Sequence, residues 1–180
     1  GLPEIVHINQ LLAGERDLLD YHMLVVPGGF SYGDDLGAGQ LWAQDLRYKL
    51  RDSLEKFARD GRPVLGICNG FQVLLKSGLL PDTDFAAADA RDVTLTYNER
   101  SQFECRWVYL KPNANNTSLF TEGLNDLIYC PVAHGEGRVM VRAENALSRL
   151  WNNGQVALTY TDTNGEPVGY PGNPNGSVAG

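Results

Sequence analysis

The apolar run Val64-Leu65-Gly66-Ile67 passes, with no loop between, into a helical pattern carried by Phe71, Val73, Leu74 and Leu75 that stops at Gly78. A short run of this kind reads as a buried strand. A strand that turns straight into a helix suits a parallel sheet, because parallel neighbours need a crossover long enough to bring the chain back. Ile5-Val6-His7-Ile8 and Met23-Leu24-Val25-Val26, rich in β-branched residues, read as further buried strands, with a short helix between them over 15–21. Leu46, Leu50, Leu54 and Phe57 fall on one helical face and predict a helix over 38–59, which Gly61 and Pro63 end. Such alternation defines an α/β fold, a mostly parallel sheet flanked by helices.

From Asp92 onward the pattern changes. Val93 to Thr96, Phe103 to Leu110 and Val156 to Thr161 read as strands separated by turn signals such as Asn152-Asn153-Gly154 and Asn164-Gly165, so this half adds antiparallel strands. A helix is expected over 143–150. The 180 residues, 43% of them hydrophobic, show neither an internal repeat nor a low-complexity linker, and one domain over 1–180 is expected.

Charge and cysteine usage narrow the function classes. Fifteen basic against twenty-two acidic side chains give a formal charge of −7, without the basic run that would grip nucleic acid or an anionic membrane. No stretch approaches the ~20 apolar residues of a membrane span, and Gly1-Leu2-Pro3-Glu4 does not begin a signal peptide. The expected compartment is cytoplasmic. Cys68, Cys105 and Cys130 form no CxxC pair, which argues against a zinc site and against a disulfide framework.

Of the three, Cys68 stands apart. Gly66-Ile67-Cys68-Asn69-Gly70 places it at the centre of a G-x-nucleophile-x-G elbow, where a tight turn presents the central side chain outward and strains its backbone. The sulfur would also lie at the positive end of a helix macrodipole, a setting that suits an attacking thiol. Cys105 and Cys130, lacking an elbow, are expected to serve core or strand packing. Pro27-Gly28-Gly29 closes the earlier strand and can turn backbone N–H groups toward a neighbouring strand end. Acyl transfer needs such donors, and the nominated pair is the N–H of Gly29 with the N–H of Asn69.

Val26-Pro27-Gly28-Gly29-Phe30-Ser31-Tyr32-Gly33-Asp34-Asp35 together with Gly66-Ile67-Cys68-Asn69-Gly70-Phe71-Gln72 resembles the glutaminase of phosphoribosylformylglycinamidine synthase, a class I glutamine amidotransferase. Phe103-Glu104-Cys105-Arg106-Trp107, Pro131 to Gly137 and Asn173-Pro174-Asn175-Gly176-Ser177 extend the match over nearly the whole chain. The resemblance implies a flavodoxin-like fold, release of ammonia from L-glutamine, and transfer of that ammonia to a synthetase subunit or domain. The synthetase uses ATP and Mg to convert formylglycinamide ribonucleotide to its amidine, so no cofactor is expected in this chain. By the same match Cys68 is the thioester-forming nucleophile, Gly29 and Asn69 the oxyanion hole, and Gln72 a wall of the glutamine pocket. Family members begin with an additional strand and helix, and carry their catalytic His and Glu in a downstream Pro-His-Pro-Glu segment. The chain is therefore expected to lack both ends of the domain.

The histidines in the chain are His7, His22 and His134. His7 and His22 read as packing or strand-end residues. His134, between residues typical of a functional loop, is the best-placed base within the chain and is read as a pocket or partner-interface residue. Asp34 and Asp35 are expected to enter the following helix. Strand alternation sends Arg106 and Trp107 to opposite faces, and whichever is exposed could meet a partner subunit. Two other classes stay open: a non-catalytic or regulatory interaction module that keeps this fold, and a different cysteine-elbow α/β enzyme.

Overall fold

The computed structural model describes residues 1–30, 39–81 and 91–180. The polypeptide forms two compact units, Gly1–Ala90 and Arg91–Gly180, divided where the sequence pattern changes.

In the first unit β1 (Leu24–Val26) and β2 (Val64–Gly66) pair in parallel, Val25 opposite Leu65. Helix α2 (Gln40–Lys49) and helix α3 (Arg51–Arg59) follow β1, and α4 (Asn69–Ser77) follows β2. The four apolar residues read as one helical face are buried: Leu46, Leu50, Leu54 and Phe57 are all 8% exposed or less. The single helix expected over 38–59 is two helices, because Leu50 leaves helical geometry at φ −119°, ψ 9°. The stripe crosses this break without losing register, so both helices face the same core, to which Val26, Val73, Leu74 and Leu79 also belong.

The strand expected over Ile5–Ile8 is absent. Ile8 instead opens a short helix, α1 (Ile8–Leu12), and Ile5 is almost fully exposed. The reason is local. The His7 side chain accepts the Asn9 N–H while the Gln10 side chain accepts the His7 N–H, a capping box that starts a helix where hydrophobicity alone suggested a strand. The helix expected over 15–21 is a 3-10 turn, Leu18–Asp20, capped by Asp17.

The second unit is antiparallel. Strand β3 (Val93–Thr96) pairs with β6 (Arg138–Val141), and β4 (Glu104–Pro112) lies between β5 (Ile128–His134) and β7 (Leu158–Thr161). Strand β5 carries Pro131 opposite Trp107. A residue with no N–H is tolerated there because β5 is, among the described residues, an edge strand paired only with β4. Helix α5 (Glu144–Asn152) forms where a helix was expected over 143–150, with Ala143 as its N-cap and its end at Asn152, and the Asn152-Asn153-Gly154 signal ends this helix rather than joining two strands. No helix among the described residues is long and apolar enough to cross a membrane.

Candidate active site

The end of β2 and the first turn of α4 leave two residues between them that belong to neither, Ile67 and Cys68, and Cys68 directly precedes the helix. Its backbone sits at φ 53°, ψ −115°, a region that residues bearing a Cβ rarely enter and that costs about 1–3 kcal/mol. The turn is closed by hydrogen bonds from Gly70 N to Ile67 O (2.9 Å) and from Phe71 N to Cys68 O (3.0 Å). Ile67 N, bonded to Val26 O at 3.0 Å, ties the elbow to the end of β1. The thiol is exposed while the next residue, Asn69, is buried, so the elbow presents the sulfur as its sequence implied.

The flanking glycines are needed for close approach. A methyl group on Gly70 would lie 1.9 Å from the Val26 carbonyl oxygen and 2.8 Å from that of Pro27. The first turn of α4 therefore packs directly on the backbone that leads from β1 into Pro27-Gly28-Gly29. Gly28 meets the nucleophile itself: a methyl there would lie 3.1 Å from Cys68 Cβ and 3.8 Å from its Sγ. The Pro-Gly-Gly turn thus lies against Cys68, and Gly29, at φ 124°, follows one residue on. Sequence reasoning chose Gly29 for its N–H and missed the steric part of Gly28. A glycine next to the nominated donor was the available signal.

Gln72 lies one turn into α4, and its side-chain oxygen accepts from Asn69 Nδ2 at 3.1 Å. This contact was also missed, although the i, i+3 spacing of two amides on one helix could have signalled it. Ser31 to Asp35, including the acidic pair Asp34 and Asp35, lie outside the described residues. An apolar cavity of about 490 Å³ opens beside β1, lined by Val6, Ile8, Leu24, Val26 and Trp42 among others. Its walls do not include Cys68, and so apolar a lining does not suit a polar amino acid.

Exposure alone does not distinguish the cysteines. Cys105, expected to be packed, is exposed on β4, and Cys130 on β5 is partly buried. What sets Cys68 apart is its strained position at the start of a helix. Within the first unit His7 is occupied as the cap of α1 and His22 is exposed.

In the second unit His134 ends β5 opposite Glu104. Asn98 donates both amide protons to main-chain oxygens, those of Gln102 and His134, each at 2.8 Å. Its Oδ1 therefore faces His134 Nδ1 at 3.0 Å, so Nδ1 carries the proton and Nε2 the lone pair. Nε2 is buried with no partner among the described residues. Burial holds the imidazole below the ordinary histidine range, against the opposing pull of the Glu104 carboxylate. Glu104 itself is buried and pairs with Arg106, which stacks on Tyr170 and donates to its hydroxyl. Of the pair read as alternating, Trp107 is the exposed member, with Tyr129 stacked on it.

A pH dependence follows. The folded-state pKa of His134 lies below its unfolded value near 6.5, so the unfolded chain takes up the proton first as the pH falls. The contribution is complete above that value and is lost as the pH drops through it. The urea midpoint should fall more in wild type than in His134→Gln between about pH 7.5 and about pH 5.5. Equal falls in the two proteins would show that His134 does not titrate as described.

Parallel strands flanked by helices, with a cysteine in a strained strand-to-helix elbow and a glycine turn against its sulfur, place the chain in the class of cysteine-elbow α/β proteins. Residues 2–180 match the family of CobB/CobQ-like glutamine amidotransferase domains. The phosphoribosylformylglycinamidine synthase subunit PurQ of Treponema denticola is 47% identical over 98% of this chain and 70% of its own length. The PurQ subunit of Dehalococcoides mccartyi is 43% identical over 97% of the chain and 66% of its own length. The phosphoribosylformylglycinamidine synthase of Drosophila melanogaster is 38% identical over 97% of this chain but only 13% of its own length. A chain of the solved PurLQS structure from Thermotoga maritima superposes with a TM-score of 0.55 at 34% identity, covering 72% of this chain and 55% of that one. The chain belongs to the PurQ family of class I glutamine amidotransferases. It spans about two thirds of the length of these PurQ relatives.

Proposed function

We propose that the protein is the glutamine-hydrolysing component of phosphoribosylformylglycinamidine synthase. Cys68 Sγ attacks the side-chain amide carbon of L-glutamine, and the carbonyl oxygen becomes an oxyanion held by the N–H groups of Gly29 and Asn69. The C–N bond then breaks, the proton given up by the thiol leaves with the amine as ammonia, and a γ-glutamyl thioester remains. Water hydrolyses it to glutamate and returns the thiol. The proton carrier is the His and Glu that the family resemblance places in a Pro-His-Pro-Glu segment. His134, pinned by Asn98, belongs instead to a pocket wall or a partner face. Gln72 lines the glutamine pocket.

Ammonia passes to an ATP- and Mg-using synthetase subunit or domain, which forms the amidine of formylglycinamide ribonucleotide. The work is done in the cytoplasm. The observation that carries this reading is the backbone of Cys68 at φ 53° with Gly28 against its sulfur, in a chain of this family. The test uses protein that carries the Pro-His-Pro-Glu segment and supplies glutamine labelled with ¹⁵N in its amide, together with the synthetase component and its substrates. The label is expected in the amidine product. Free glutaminase activity with no transfer of label would remove the synthetase from the proposal, and no hydrolysis at all would leave a non-catalytic module.

A further inference from the structure

Gly28 and Gly29 are adjacent glycines under opposite constraints. Gly29 has φ 124°, a backbone that strains any residue bearing a Cβ, yet a methyl there would meet nothing within 4 Å among the described residues. Gly28 does not have a positive φ, so its backbone makes no such demand. A methyl on it, however, would lie 3.1 Å from Cys68 Cβ, 3.3 Å from Ile67 O and 3.8 Å from Cys68 Sγ. These nearest atoms all belong to the elbow, and two of the three are the side chain of Cys68. That side chain therefore rests against bare backbone. The elbow cannot move away as a unit. Ile67 N is bonded to Val26 O at 3.0 Å and Gly70 N to Ile67 O at 2.9 Å. Gly70 is already so close to the Val26 and Pro27 carbonyls that it has no room for a methyl of its own. A side chain at 28 would thus displace the Cys68 side chain by a few tenths of an ångström.

We propose that Gly28 is a positioning residue whose lack of a side chain seats the Cys68 sulfur in line with the Gly29 and Asn69 N–H groups, a role that rests on the glutaminase reading above. Attack requires the sulfur within about 3–3.5 Å of the amide carbon, on a path fixed by where the carbonyl oxygen is held. The donors that hold this oxygen are main-chain groups of the turn and the helix. A displaced sulfur loses its alignment with them, and the loss is felt as the C–S bond forms. Binding of the amino-acid end of glutamine does not pass through the sulfur and survives. Glycine at 28 is in this account required by the reaction at Cys68, and glycine at 29 by the backbone.

The test measures ammonia release from glutamine by wild type and Gly28→Ala, in protein that carries the Pro-His-Pro-Glu segment and is assembled with its synthetase component. Gly28→Ala should lower kcat about tenfold or more with KM within about threefold, the signature of an interaction made in the transition state. Labelling of Cys68 separates position from access. Iodoacetamide should label both proteins at rates within about threefold, because the thiol stays exposed. A chloroketone analogue of glutamine, whose reactive carbon is held by the pocket, should label Gly28→Ala about tenfold more slowly than wild type. An unchanged kcat, a loss carried by KM, or equal slowing with both reagents would each overturn the proposal. The urea midpoint should fall in Gly28→Ala, and that fall should largely disappear in a Cys68→Gly background, where the Cβ and Sγ that the methyl meets are gone. Should Gly28→Ala fail to fold, the Gly28→Ala/Cys68→Gly double variant should still fold. A double variant that also fails, or equal falls in the two backgrounds, overturns the proposal, because something other than Cys68 would then require the glycine. A wild-type assembly that releases no ammonia would overturn the glutaminase reading itself, and the proposal with it, whereas active wild type with an unaltered Gly28→Ala overturns the proposal alone.

Discussion

Cys68→Ala is expected to reduce glutamine hydrolysis by about 10⁴-fold or more while leaving the fold intact. The loss is large because no other group can form the thioester, so the substitution removes a covalent intermediate and not merely a contact. The fold should survive because the thiol is exposed and alanine is no more strained than cysteine at φ 53°. Urea unfolding of the two proteins should agree to within about 0.5 kcal/mol. With the synthetase present, ammonia added as a salt should still support amidine formation, since only the supply of ammonia is cut. Hydrolysis that persists in Cys68→Ala at more than a few per cent would place the nucleophile elsewhere.

The largest expected effect on stability comes from Gly70→Ala. The added methyl would sit 1.9 Å from the Val26 carbonyl oxygen, an approach at which backbone must move and no side-chain adjustment can help. Moving it separates the start of α4 from the end of β1 and breaks the elbow. A cost above about 4 kcal/mol is expected, a large part of the whole stability of a domain this size. Gly169→Ala serves as the control, because a methyl there meets nothing within 4 Å, and it should stay within about 0.5 kcal/mol of wild type. Denaturant midpoints for the three proteins make the comparison. If Gly70→Ala unfolds at the same midpoint as the control, the packing described at the elbow is wrong.

How much of this was legible in the sequence depended on whether the pattern was local. β2, the elbow and α4 were readable because an apolar run, a pair of glycines and a helical period lie consecutively between Val64 and Gly78. The stripe from Leu46 to Phe57 was readable as a buried face, but the break at Leu50 was not, since no proline or glycine marks it. Strand β5 was hidden by Pro131, although its burial alternates residue by residue from Ile128 to His134, because a proline inside a run argues against a strand until its edge position is known. At Ile5–Ile8 hydrophobicity pointed to a strand, and the cap made by His7 and Gln10 decided otherwise. At the site, the elbow at Cys68 was legible because its cysteine and its two glycines share one pentapeptide. The contact of Gly28 with its sulfur was not, since it joins residues forty positions apart. Chain order carries no record of such a meeting until β1 and β2 pair.

The central claim, that Cys68 forms a γ-glutamyl thioester from glutamine, is tested most directly by trapping that intermediate. The protein, assembled with its synthetase component, is incubated with ¹⁴C-glutamine, quenched in acid and digested, and the peptides are read by mass spectrometry. The account predicts one labelled cysteine, Cys68, with the label released by hydroxylamine and absent from Cys68→Ala. The exposed Cys105 provides an internal comparison, because simple accessibility would label it as well. A glutamyl adduct on Cys105 or Cys130 with Cys68 unmodified, or turnover of glutamine with no acyl-enzyme on any cysteine, would contradict the account.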